Sequence, residues 1–79
     1  VQVNNNRTEG RKGMFGENVR RLREARGWSL EQFSEKCGVS FSMIAQVERG
    51  LRAPSLSLAA MIADVLGVTL DYLLKHRAA

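Results

Sequence analysis

From Met14 onward the chain is punctuated by glycines at 27, 38, 50 and 67, each followed by a hydroxyl residue: Ser29, Ser40, Ser55 and Thr69. Each glycine closes a helix-compatible run where a left-handed C-terminal cap is wanted. Each Ser or Thr opens the next run as an N-cap, its side-chain oxygen accepting from an orphan amide of the first turn. This spacing leaves room only for short helices with short connections. No run sustains period-2 alternation, so no strands are expected.

The expected helices are 14–26, 30–37, 41–49, 56–66 and 70–76. Ser29 with Gln32 forms a capping box, and Trp28 with Phe33 occupies the two positions of a hydrophobic staple. Val39 with Ile44, and Val68 with Leu73, repeat that staple spacing. Apolar stripes at helical period nominate a core of Phe15, Val19, Leu22, Leu30, Phe33, Cys37, Ile44, Val47, Leu58, Ile62, Val65, Leu66, Leu70, Leu73 and Leu74. Trp28 is expected to roof it. Helices this short are marginal alone, so packing must stabilise them.

At 79 residues there is one domain with one modest core. No apolar run is long enough to span a bilayer, and no secretory signal opens the chain, so a cytoplasmic protein without membrane attachment is expected. The single cysteine, Cys37, reads as a buried apolar residue. His76 has no partner at metal-ligand or catalytic spacing and is expected to face solvent. With no phosphate-cradling loop, HExxH or paired carboxylates, the expectation is no enzyme, no metal and no cofactor.

The net charge of +4 weakly favours an anionic partner. Residues 1–13, VQVNNNRTEGRKG, are polar and aperiodic, and read as a disordered arm ahead of a domain spanning 14–79. The chain starts with Val, and Met14 is an alternative start. Arg7, Arg11 and Lys12 against Glu9 place +2 of the charge in this arm, where Arg7 and Arg11 could follow a minor groove.

The second and third helices, joined by a short turn, form a helix-turn-helix arrangement. At 100° per residue, helix 41–49 turns Met43, Ile44, Val47 and Glu48 inward. Ser42, Ala45, Gln46 and Arg49 face outward, and Phe41 sits at the boundary. The outward flank carries no acid and small side chains, which suits the DNA major groove. Gln46 can pair with adenine in bidentate fashion, Ser42 can bond several bases, and Phe41 and Ala45 can pack on a thymine methyl. The plainer alternative is an idle solvent face with Phe41 folded inward. Glu48 needs a cationic partner if buried, and Arg23 is the candidate; otherwise it is hydrated at the edge.

The stretches "VRRLREARGWSLEQFSEKCGVSFSMIAQVERG" and "PSLSLAAMIADVLGVTLDYLL" resemble the Cro and phage-repressor type of helix-turn-helix, also called the xenobiotic-response-element family. The most specific elements are "ERG" and "LGVTLDYLL" at this separation. The resemblance covers Met14 to Leu74 and implies an all-α, five-helix, lambda-repressor-like domain. It implies binding of double-stranded operator DNA, as a homodimer on an inverted repeat, most often as a repressor. Phe41, Ser42, Ala45 and Gln46 occupy base-facing positions. Ser29 and Ser40, the first amides of the second helix, Arg49 and Arg52 match phosphate-contacting positions, and Arg23–Glu48 matches a structural ion pair.

Leu30 departs from the family's frequent Gln, which touches phosphate and braces the recognition helix. Ser34 replaces a frequent Ala at a helix crossing. The segment also resembles a subclass fused to a small-molecule-sensing barrel; an effector would require such a further domain. For the dimer surface, Leu51, Leu58, Tyr72 and Leu74 are candidates, with Leu74 equally able to close the core. The alternatives to a self-standing regulator are the DNA-binding module of a larger sensor-regulator or antitoxin, and a module that holds a protein instead of DNA.

Overall fold

A computed structural model describes the backbone of residues 2–77 and the side chains of residues 14–77. The elements are α1 (Gln2–Ala25), α2 (Leu30–Cys37), α3 (Phe41–Glu48), α4 (Leu56–Leu66) and α5 (Leu70–Lys75). The described residues contain no strand. The all-α, five-helix, repressor-like architecture expected from the sequence is the one adopted.

The four hydroxyl residues cap as their spacing requires. Ser29, Ser40, Ser55 and Thr69 accept from the amides of Gln32, Met43, Leu58 and Tyr72. Ser29 and Gln32 close the reciprocal box, the Ser29 amide donating to Gln32 Oε1 at 2.8 Å. Helix α1 starts at Gln2, so its backbone continues ahead of Met14 into the segment read as an arm. That segment holds no proline to stop a helix, although Gly10 and Gly13 each cost about 1 kcal/mol against alanine. The side chains of residues 1–13, Arg7 and Arg11 included, lie outside the described residues.

Phe33, Ile44, Ile62, Leu66, Leu73, Val19 and Val47 are fully buried at the centre. Helix α1 packs on α3, α4 and α5, while α2 packs on α3 and α4. Two small residues that helical stripes did not nominate, Ala59 and Ala63, complete the core from α4. Trp28 roofs it, stacked on Phe33 with centroids 6.1 Å apart. Gly16 is a point of close approach. A Cβ there would stand 2.5 Å from the carbonyl oxygens of Val47 and Glu48, so only glycine lets α1 meet the end of α3.

Two expectations are corrected at the C-terminal end. Leu74 is 45% exposed and does not close the core; Leu73 takes that place. His76 is half-buried instead of solvent-facing, its ring stacked on Tyr72 at 4.4 Å. The cause is Asn18, buried on α1, whose Nδ2 donates to the carbonyls of Leu73 and His76 at 2.9 Å each. That clamp draws the end of α5 onto α1. Arg21 reinforces it, donating through Nη2 to Asn18 Oδ1 and to the Tyr72 hydroxyl.

Candidate nucleic-acid interface

The third helix presents the face its periodicity requires. Ile44, Val47 and Glu48 are buried; Ser42 and Arg49 are exposed, and Ala45 and Gln46 are half-buried. Phe41, at the start of the helix, is 52% exposed. Phe41, Ser42, Ala45 and Gln46 therefore share one outward flank, which carries no carboxylate. Ser42 is exposed to solvent.

Helix α3 is held at both ends. Ser40 Oγ accepts from the Met43 amide at 3.1 Å, which leaves its own O–H free to donate to an anion. The amides of Phe41 and Ser42 have no helical partner, as in any first turn. Together these make a phosphate-compatible end. Ser29 is built alike at the start of α2, but Glu31 stands in the first turn there and would oppose an anion. The first turn of α3 has no acid, so of the two it is the cleaner anion site.

At the other end Glu48 faces inward and meets Arg23. Arg23 Nε and Nη2 donate to the two carboxylate oxygens at 2.7 and 3.1 Å. Arg23 Nη1 donates to the Trp28 carbonyl at 2.7 Å, so one guanidinium ties α3 to α1 and to the turn that follows it. The pairing places the inward face of α3, and thereby the outward one.

Beyond Glu48 the chain reverses at once. Gly50 takes a left-handed φ of 75°, the Gly50 amide donates to Val47 O, and the Leu51 amide donates to Gln46 O. This Schellman closure folds residues 51 and 52 back along the last turn of α3. As a result Arg52 Nε donates to Gln46 Oε1 at 3.1 Å, and Gln46 Nε2 donates to Ser42 Oγ at 3.2 Å. Sequence reasoning placed Arg52 among the phosphate contacts and missed this link. No helical spacing joins residues six apart; only the turn at Gly50 brings them together. Arg49, the C-cap, remains exposed beside them.

A family model described as helix-turn-helix matches residues 19–73. The chain belongs to the Cro/C1-type helix-turn-helix family. Within this family it is 35% identical over 60 residues to the uncharacterized HTH-type transcriptional regulator YazB of Bacillus subtilis, covering 76% of this chain and 87% of YazB. It is 32% identical over 65 residues to the HTH-type transcriptional regulator SinR of the same species, covering 81% of this chain and 59% of SinR. The crystal structure of SinR in complex with DNA matches at a TM-score of 0.74 and 33% identity, over 78% of this chain and 100% of that one. The restriction-modification controller protein C.AhdI of Aeromonas hydrophila matches at a TM-score of 0.74 and 34% identity, over 78% of this chain and 94% of that one. The chain thus spans most of YazB but less than two thirds of SinR. Among the described residues no helix is long and apolar enough to cross a membrane.

Of the residues considered for a dimer surface, Leu51 is 65% exposed and Leu74 is 45% exposed. Leu58 is half-buried against the core, and Tyr72 is engaged within its own chain by Arg21 and His76. Leu56, 75% exposed, joins Leu74 on the rim of an apolar groove of about 350 Å³. Phe15, Ala53, Pro54, Ala59 and Leu70 also line it, and Arg52 is its one charged lining residue.

Proposed function

We propose that this protein is a sequence-specific transcription regulator that inserts α3 into the major groove of operator DNA. The observation that carries the reading is the acid-free outward flank of α3, with Phe41, Ser42 and Gln46 reachable from solvent between a capped N-terminus and two arginines. Phe41, Ser42, Ala45 and Gln46 read base edges. Ser40, Arg49 and Arg52 contact phosphates, and Ser29 does so more weakly because of Glu31. Phosphate contacts supply most of the affinity and base contacts the discrimination. Two relatives add support: SinR, solved with DNA, and the controller protein C.AhdI.

The operator is an inverted repeat read by a homodimer, with half-sites about 34 Å apart. The apolar groove beside Leu56 and Leu74 supports pairing on that side, because exposed leucines at a groove gain by being covered. Occupying a promoter is by itself enough to exclude another protein, so repression is the preferred outcome. The same reading has the protein act in the cytoplasm as a bacterial or phage regulator, nucleoid-associated when bound. A second reading, the DNA-binding module of a larger sensor-regulator, draws on the partial coverage of SinR. Residues 14–79 are the binding domain in either case, and a small-molecule effector belongs only to the second.

Selection of bound duplexes from a random pool tests the proposal. The expected result is a common sequence with two-fold symmetry, bound less tightly as salt rises. Retention of every sequence alike, or of none, would sink it.

A further inference from the structure

Gln46 is held at both ends of its carboxamide, by Ser42 at Nε2 and by Arg52 at Oε1. The two partners are not equivalent. A serine hydroxyl donates or accepts, so Ser42 tolerates either amide orientation. A guanidinium only donates, so the Gln46 atom facing Arg52 must be the oxygen. Turned over, the amide would set N–H against N–H. Arg52 therefore decides which way Gln46 faces.

The remaining valences matter. A carboxamide has two N–H donors and two acceptor lone pairs. Ser42 occupies one donor and Arg52 one lone pair. One donor and one lone pair are left, the set that an adenine edge requires through N7 and N6. Arg52 keeps its Nη groups for a phosphate oxygen, since only Nε is engaged with Gln46. Ordering the amide before DNA arrives also removes part of the entropic cost of binding.

We propose that Arg52 is a positioning residue that sets the base preference of the helix by fixing the orientation of the Gln46 carboxamide. This rests on α3 being the base-reading helix. Arg52 is exposed and outside the core, so its replacement leaves the fold intact.

The discriminating variant is Arg52→Lys. Lysine keeps the positive charge but puts a methylene where Nε sits, so the phosphate attraction survives and the fixed donor does not. The probe is the duplex selected by wild-type protein, with each position changed in turn to the other three base pairs. Affinities are measured for wild type, Arg52→Lys, Gln46→Ala and the double variant, with melting temperatures and the salt dependence on non-specific duplex. Wild type should prefer one base pair at one position by roughly 5- to 150-fold, the worth of one bidentate contact. Arg52→Lys should lose most of that preference at the same position as Gln46→Ala. The double variant should lose no more, and melting temperature and salt slope should hold. Independent sites would instead add.

An Arg52→Lys protein that keeps the full preference, or weakens equally on every sequence, overturns the inference and leaves the DNA reading standing. So does a preference indifferent to Gln46→Ala. A wild-type protein that selects no common sequence overturns both.

Discussion

Arg23 and Glu48 form a two-point ion pair inside the protein, with side chains only 10% and 5% exposed. The guanidinium is saturated further by the Trp28 carbonyl at 2.7 Å. A buried pair of this kind adds little net stability over an apolar pair, but losing one member leaves a charge without compensation. Glu48→Ala should therefore destabilise by about 3–5 kcal/mol. Arg23→Lys should also destabilise, because an ammonium cannot serve both carboxylate oxygens and the carbonyl in the same planar arrangement. Urea unfolding followed by circular dichroism checks both, and a Glu48→Ala midpoint equal to wild type would refute the argument.

Gly16 sits where α1 meets the end of α3, with two carbonyl oxygens 2.5 Å from any added Cβ. On helix propensity alone Gly16→Ala would stabilise by about 1 kcal/mol. The obstruction is backbone, which cannot rotate aside, so the sign should reverse. Overpacking of this sort costs about 1–3 kcal/mol, read as a lower melting temperature.

On the outer flank, two substitutions should separate the two kinds of DNA contact. Arg49→Ala should weaken binding about equally on all sequences and reduce the salt slope by about 1. Phe41→Ala should leave the melting temperature near wild type, because the ring is half in solvent, and should weaken the base preference at one position of the selected site. Titrations on specific and random duplexes at several salt concentrations distinguish the patterns.

Leu74→Asp tests the apolar groove. Leu74 is exposed in the single chain, so the substitution should spare the fold. A carboxylate on a contact surface should abolish dimers in sedimentation at concentrations where wild type pairs. Binding to a full inverted repeat should drop toward that of a single half-site. Unchanged sedimentation would place any dimer surface elsewhere.

Cys37 is buried, and burial pushes its thiol from 9.0 up to about 11. The folded protein should react slowly with thiol reagents at neutral pH and rapidly once unfolded. The sign of its pH effect follows from the same shift. Below pH 9 both states hold the proton and the contribution is constant. Between about 9 and 11 only the unfolded state releases it, so stability falls with rising pH. Cys37→Ala should flatten that alkaline decline in urea titrations.

Most of the helix boundaries were legible because caps are local. A hydroxyl three residues ahead of an amide, or a glycine after an apolar run, acts through bonds that span one turn. The two faces of α3 were legible for the same reason, since 100° per residue needs no partner to be specified. Asn18 was not legible. Nothing near it in the chain shows that its amide will hold carbonyls 55 and 58 residues away. His76 was misplaced because its burial depends on that clamp, and Leu74, open between core and surface, lies on the surface because Leu73 takes the core position.

Local chemistry thus determined where α2 to α5 begin and end, though not where α1 begins, and which side of α3 could face a duplex. Tertiary structure decided how the helices pack: Gly16 lets α1 meet α3, Arg23 locks that contact through Glu48, and Asn18 draws α5 in. It also decided that Arg52 reaches Gln46, because the reversal at Gly50 joins residues that no helical period relates. The division follows from distance along the chain. Bonds within a turn are written in neighbouring residues, whereas contacts between elements exist only once the core has brought them together.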